Sequence, residues 1–423
     1  LLVCPTSVLG NWLNEFQKFA PNLNVMIHYG PDRLKGESFV RTYRQADIVL
    51  TTYTLSLLDK DDFQKIEWST LCLDEAQHIK NAYTKQAAAI RKLQADHRIA
   101  MTGTPLENRL SELWSIFHFL NPGYFGSLNH FQQRYAKPIE SGNDQARKEE
   151  LQRRIRPFLM RREKNDPKIG LELPGKTESN TYVSLTGEQA ELYQSAVNDM
   201  LDRVDQLSAF ERKGWIVSKL ARLKQICDHP SLVLGEVETD RIFIPNSSYK
   251  LERLIDMVST VRQSGEQCLV FTQYVGMGRI LKRVLEQRLE EPVLFMHGSV
   301  SQKQREEMIE HFQAGQNGVF ILSLRTGGSG LNLTAASHVF HYDRWWNPAV
   351  EDQATDRVYR IGQHKQVYVY KMVALGTLEE RIDEMLTQKK RLTSEMIDAG
   401  GKWITELSVN ELRQLLTLSD SIT

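Results

Sequence analysis

The 423-residue chain is long enough for two or three domains, and its 41% hydrophobic and 25% charged residues are ordinary for globular protein in water. Lysine plus arginine and aspartate plus glutamate number 53 each, so no global positive charge advertises nucleic acid, and any such surface is a local stripe. Four dispersed cysteines without a CxxC pair argue against structural zinc, and the lack of an apolar run of about eighteen residues or of a signal peptide points to the cell interior: cytoplasm or nucleoid in a prokaryote, nucleus in a eukaryote.

The chain opens on Leu2-Val3-Cys4-Pro5, a buried-type strand with no initiating Met, as in a piece of a longer protein. Through about residue 125, apolar runs at 25–28, 47–51, 71–73 and 99–101 alternate with helical stretches at 7–19 and 83–93, the pattern of a parallel sheet. The third run ends on the adjacent carboxylates Asp74 and Glu75, with Gln77 beyond. Acidic residues at a strand end in an open α/β sheet are well placed to hold Mg2+ and orient a water, although a lone pair is more often a helix-start charge. A small-residue turn, Met101-Thr-Gly-Thr-Pro105, follows the fourth run.

Residues 126–250 change to charged helical texture. Here Gly170-Leu-Glu-Leu-Pro-Gly175-Lys176-Thr177 fits the Walker A expression letter by letter, but it follows a polar run and leads into an alternating, strand-like 181–185, so it is rejected as a phosphate loop. Cys227-Asp-His229-Pro230 has no second ligand pair and reads as a helix end. A second α/β region follows, with strands at 268–271, 293–296, 319–323, 338–342 and 367–373 and capping boxes at Ser301/Gln304 and Thr377/Glu380. Asn347-Pro348 starts a short helix that Ile361-Gly362 ends, carrying Gln353, Arg357 and Arg360. Two guanidiniums three residues apart share a helical face and suit phosphate, where the plain alternative is a solvated or salt-bridged face.

Taken in order, these segments carry a resemblance. Leu2-Val3-Cys4-Pro5 with Asn11-Trp12 and Glu15 resembles motif Ia of superfamily 2 helicases, Thr51-Thr52-Tyr53 motif Ib, Asp74 to Gln77 with Ile79-Lys80-Asn81 motif II, and Thr102 to Pro105 with Asn108 motif III. Phe271-Thr-Gln273-Tyr274 and His297-Gly298 resemble the motif IV region, 323–333 motif V, and Trp345-Trp346-Asn347-Pro348 leads into motif VI. The ordered set resembles the Swi2/Snf2 (SNF2) ATPases over nearly the whole chain. The departures are Arg325 where many members have lysine, and Gln77 for histidine. The stretch between Pro230 and Lys250 is too short for the large insertion some remodellers carry.

The resemblance implies an α/β protein with two RecA-like parallel-sheet lobes: lobe 1 over 1–125, SNF2-type helical insertions and the inter-lobe linker over 126–250, lobe 2 over 251–390, and a C-terminal helical brace or tail over 391–423. Nucleotide bound in a cleft between the lobes would favour the closed arrangement. It implies ATP and Mg2+, with Asp74 on the metal, Glu75 polarising the attacking water, Gln77 beside them, Arg357 and Arg360 reaching from the opposite lobe, and Gln353, Gly330 and Asn332 near the nucleotide. The phosphate loop of the family lies upstream of motif Ia, before this sequence begins. Double-stranded DNA would be contacted by Pro5, Thr6, Thr51, Thr52 and Tyr53 in one lobe and His297, Gly298, Ser323, Arg325 and Thr326 in the other, addressing phosphates rather than bases. Arg161, Arg162 and Lys164 are either a solvated run or a DNA patch, and Trp345 and Trp346 an apolar brace rather than a base-stacking pair. The expected function is a double-stranded DNA translocase that remodels or displaces DNA-bound proteins; a strand-separating DNA or RNA helicase and a non-catalytic DNA-binding scaffold are the alternatives.

Overall fold

The computed structural model describes residues 1–103, 110–142, 144–160, 162, 164, 170, 173–204, 207–324, 331–392 and 416. The apolar runs of the first third form five parallel strands, β1 (Leu2–Cys4), β2 (Val25–Ile27), β3 (Ile48–Thr52), β4 (Trp68–Leu73) and β5 (Ala95–Ala100), in spatial order β2-β3-β1-β4-β5. Parallel neighbours require crossovers, and the helices Leu9–Phe19, Gly36–Thr42 and Lys85–Arg91 lie in those connections. Both sheet faces are therefore covered. Val3, Val49, Leu71 and Leu73 cluster with Phe39, Phe63 and Ile90, while Leu2, Cys4 and Leu50 cluster with Leu9, Trp12 and Phe16. Phe39 and Phe63 are fully buried, each worth about 2–3 kcal/mol of transfer from water. After β5, the helices Leu110–Leu120, Leu128–Phe131 and Gln145–Ile155 close around Trp114, Phe117, Phe125, Phe131 and Tyr135.

The chain divides into two compact units at Glu163/Lys164. In the second, β6 (Lys176–Val183), β7 (Cys268–Thr272), β8 (Leu294–Met296), β9 (Val319–Ser323), β10 (His338–His341) and β11 (Val367–Ala374) form another all-parallel sheet, ordered β6-β11-β10-β7-β9-β8. Alternate residues feed opposite cores. Val270, Ile321 and Phe340 pack with Leu254, Val258 and Leu281, whereas Leu269, Phe271 and Phe320 pack with Phe312, Leu333 and Val358. The helices Gly187–Val204 and Ala209–Asp228 pair around Tyr193, Val197, Met200, Leu220 and Leu223.

Three local expectations change. The second sheet includes β6, which pairs with β11 from Lys176↔Val367 to Val183↔Ala374, so a lobe beginning at 251 omits its edge strand. That strand, KTESNTYV, is mostly exposed with one neighbour and carries little apolar signal. Its first residue is Lys176, which pairs with Glu178 at 2.7 Å and lies over the Tyr359 ring; a phosphate loop would open a helix here instead. The arginine-bearing helix starts as expected, with Asn347 Oδ1 accepting from the Ala349 N–H at 3.0 Å, but spans only Pro348–Thr355. Arg357 and Arg360 stand in the turn after it rather than on one helical face. Ser301 and Gln304 form both halves of a capping box, whereas Glu380 reaches the Gly376 N–H, one residue before the expected Thr377. Cys227 is buried, and His229 takes up the helix end, bonded to Ser247 and to the Ser231 N–H. The expected tail, 391–423, lies almost wholly outside the described residues. Among the described residues no helix is long and apolar enough to cross a membrane.

Candidate functional site

The first-unit candidates gather at the carboxyl ends of the strands, where open α/β sheets bind ligands. Asp74 follows the last residue of β4, its N–H donating to Val3 O at 2.9 Å across to β1. Its Oδ2 accepts from the Trp12 indole at 2.8 Å and its Oδ1 from the Glu75 N–H at 2.9 Å. Glu75 sits in left-handed backbone, φ 52° and ψ 54°, a conformation that costs a non-glycine residue roughly 1–3 kcal/mol and turns its side chain out of the strand line. Gln77 Nε2 donates to Glu75 Oε2 at 2.7 Å, and Thr102 Oγ1 donates to Gln77 Oε1 at 2.7 Å. A continuous polar chain thus runs from the end of β5 to the Glu75 carboxylate. Each Asp74 oxygen accepts one bond and retains a second lone pair, and among the described residues no cationic side chain pairs with it, so the carboxylate fits a hydrated Mg2+.

The hydroxyls of the neighbouring Thr51-Thr52-Tyr53 turn inward. Thr51 Oγ1 donates to His28 O at 3.1 Å, Thr52 Oγ1 caps the helix Tyr53–Leu58 through the Leu55 N–H at 3.3 Å, and Tyr53 Oη donates to Asp74 O at 2.8 Å. All three residues are buried and these hydroxyls are engaged inside the unit, so any contact of this segment with a phosphate falls to its backbone amides. Burial, reinforced by Asp74, pushes the Tyr53 hydroxyl far above its ordinary pKa and keeps it a neutral donor. Thr6, by contrast, is exposed at the end of β1, with Pro5 half-buried beside it. Trp12 and Thr102 were passed over as site residues; Trp12 stood inside motif Ia, but nothing local shows that its indole reaches a carboxylate 62 positions away.

In the second unit the turn after Thr355 is bolted to the end of motif V and the residues that follow it. The Leu333 N–H donates to Arg357 O at 3.0 Å and Arg360 Nη1 approaches Leu331 O at 3.4 Å. Gln363 Nε2 donates to Thr334 O at 3.1 Å and Ala336 O at 2.8 Å. Arg357 is buried, Arg360 and Gln353 half-buried, and Asn332 exposed next to Leu331. Lys164 pairs with Asp356 at 2.6 Å and donates to Tyr359 O at 2.7 Å, so this member of the basic run braces the arginine turn. Arg162 is exposed. Trp345 and Trp346 are half-buried in two different apolar clusters, with Lys224 Nζ over both rings. Ser323 is buried at the end of β9. After β8, Gly298 is exposed, and Arg305 shapes the loop by donating to Val300 O at 2.9 Å and Gly298 O at 3.0 Å; His297 leans on Phe295. Pro105, Asn108, Arg161, Arg325, Thr326 and Gly330 lie outside the described residues.

Residues 1–232, more than half of the chain, match the family model of the SNF2-related domain. The chain belongs to the SNF2 family. Residues 249–362 of this SNF2 chain match the helicase conserved C-terminal domain, completing a superfamily 2 ATPase core. The SNF2 chain is 53% identical over 419 residues to the putative ATP-dependent helicase/translocase YwqA of Bacillus subtilis, covering 99% of this chain and 45% of that protein. It is 34% identical over 410 residues to the human SWI/SNF-related matrix-associated actin-dependent regulator of chromatin subfamily A member 1, covering 95% of this chain and 39% of that one. Among solved structures, the Sulfolobus solfataricus SWI2/SNF2 ATPase core in complex with dsDNA aligns with TM-score 0.52 at 43% identity, over 99% of this chain and 86% of that chain. The two all-parallel α/β sheets are the fold of that core. The SNF2 chain spans less than half the length of these curated relatives.

Proposed function

We propose that this SNF2 core is the ATP-hydrolysing motor of a larger protein that tracks along double-stranded DNA and shifts or displaces what is bound there. The observation that carries the reading is the chain Thr102–Gln77–Glu75 beside Asp74: it holds one carboxylate rigidly by a side-chain amide and leaves the next with free lone pairs. Glu75 orients and polarises the attacking water, Gln77 fixes the rotamer of Glu75, and Asp74 is the residue that holds Mg2+. When bound, the metal neutralises charge on the nucleotide phosphates. Arg357 and Arg360 supply positive charge to the transferring phosphoryl group, their turn fixed by Gln363 and Lys164 so that no reorganisation is needed at the moment of reaction. Thr6 and the Gly298 loop are the exposed candidates for DNA phosphates, contacts that position a duplex without reading it.

Steady-state ATP turnover by the full-length protein with saturating duplex DNA tests this. Glu75→Gln keeps an acceptor for Gln77 but removes the base, and turnover is expected to fall by about a hundredfold or more with ATP affinity retained. Turnover within a few-fold of the parent would remove Glu75 from the chemistry.

A further inference from the structure

The end of β10 runs on into Tyr342-Asp343-Arg344, and this polar strand end reaches both ends of the short helix Pro348–Thr355. Arg344, although buried, forms a two-pronged pair with Glu351, Nε to Oε1 at 3.0 Å and Nη2 to Oε2 at 3.3 Å. Glu351 Oε1 also accepts the Trp345 N–H at 2.8 Å. One turn further on, His341 Nε2 meets Thr355 Oγ1 at 3.0 Å, and the carbonyl of that same Thr355 receives the Val358 and Tyr359 N–H groups that form the arginine turn. Arg344 is itself anchored from three more directions. Its guanidinium pairs with Asp383 on the helix Leu378–Leu392, and its carbonyl accepts from Gln273 Nε2 at 2.7 Å and from Lys224 of the helix Ala209–Asp228. Asp343 alongside accepts from Thr272 Oγ1 at 2.6 Å and the Gln273 N–H at 2.9 Å, tying the strand end to β7.

Two turns of helix are marginal alone, so the orientation of Pro348–Thr355 comes from what grips it. We propose that His341 and Arg344 are positioning residues for hydrolysis: they clamp the helix at Thr355 and Glu351 and thereby set where Arg357 and Arg360 are presented. This rests on the reading of those two arginines as phosphate-directed. For the Arg344–Glu351 pair taken alone, an apolar pair of similar volume could fill the same space at little cost in stability, because burying both charges costs about as much as their attraction returns. The fork-to-carboxylate pair instead specifies one direction and one register.

The test uses the full-length protein and five variants: Arg344→Met/Glu351→Met, Arg344→Lys, His341→Val, Arg360→Ala, and the combination of the first with Arg360→Ala. Each is read for kcat, KM for ATP, duplex-DNA Kd and melting temperature. The double methionine variant removes the clamp without leaving an unpaired Glu351, and Asp383, which loses Arg344, keeps Asn180 Nδ2 at 2.6 Å and Tyr182 Oη at 3.2 Å. Its kcat is expected to fall about a hundredfold, the order a displaced catalytic group produces, while KM, Kd and melting temperature stay near the parent values. His341→Val falls less, since one end of the helix remains held. Adding Arg360→Ala to the double variant brings little further loss, because an arginine already displaced has nothing more to lose. A folded double variant with parental kcat overturns the clamp, as do losses that multiply with Arg360→Ala. Should the double variant melt early, Arg344→Lys decides the matter: it keeps the charge without the fork, so an intermediate kcat supports the clamp and a parental one overturns it. Parental turnover by Arg360→Ala alone overturns the underlying reading of the arginines, whatever the clamp variants do.

Discussion

Glu75 is the residue on which geometry and chemistry meet: left-handed backbone aims its carboxylate, and the amide of Gln77 holds it at 2.7 Å. Thr102→Val breaks the far end of that chain while keeping its volume, and one neutral hydrogen bond is worth about 1 kcal/mol, so kcat should drop roughly fivefold with KM for ATP unchanged. Stopped-time phosphate release with duplex DNA reads this, and an unchanged kcat would separate Thr102 from Glu75. A second residue prediction concerns pH. Burial pushes the His341 imidazole down to about 4, below the unfolded value near 6.5. The unfolded chain therefore takes up this proton first, and the folded state loses up to about 3 kcal/mol as pH falls from about 7 to 4. His28, His118, His297 and His338 are lowered by burial too and act in the same direction, so the comparison is differential: the urea midpoint of His341→Gln should fall less between pH 7 and 5 than the parent's. Asp74 and Glu75 were legible as strand-end carboxylates because the apolar run stops at them, and Asp74 does follow β4 directly; the roles of these two carboxylates and of Arg357 and Arg360 belong to the proposal. The inward direction of the Thr51 and Thr52 hydroxyls was not legible, because a threonine at a strand end looks the same in sequence whether its hydroxyl faces a phosphate or a carbonyl such as His28 O.

Elements in the second unit are joined by a buried charge triad. Lys250 Nζ lies 3.0 Å from Asp228 Oδ1 and 2.8 Å from Glu379 Oε2, linking the helices Tyr249–Gln263, Ala209–Asp228 and Leu378–Leu392. Lys250→Met leaves two buried carboxylates without their cation and should destabilise the fold by about 3–5 kcal/mol, read as a shift in denaturant midpoint. A loss under about 1 kcal/mol would mean that water or rearrangement reaches the site. Most strands were visible as apolar runs because a parallel sheet buries both faces of its interior strands, as with β7 and β9. β6 escaped for the opposite reason, an exposed edge strand held by backbone pairing to β11 rather than by apolar contacts. The arginine helix ended early because its continuation is shaped by Gln363 bonding to carbonyls at 334 and 336, tertiary partners that local periodicity does not contain.

At the scale of the whole molecule, equal numbers of basic and acidic residues give no general attraction for DNA, so the proposed binding rests on a limited set of phosphate contacts. Duplex affinity should still weaken steeply with salt, log Kd changing linearly with log salt at a slope near 0.9 per phosphate contacted. A slope near zero would point to a protein partner instead. The two sheets, their order and the family membership agree on an SNF2 ATPase core; that it drives movement along duplex DNA is the central proposal. In one reaction series, the full-length protein is offered a duplex carrying a third strand and, separately, a forked duplex, each with ATP and with the Glu75→Gln protein as control. The account predicts ATP-dependent release of the third strand, its loss in Glu75→Gln, and an intact fork. Unwinding of the fork, or turnover stimulated by single-stranded RNA and not by duplex DNA, would contradict it.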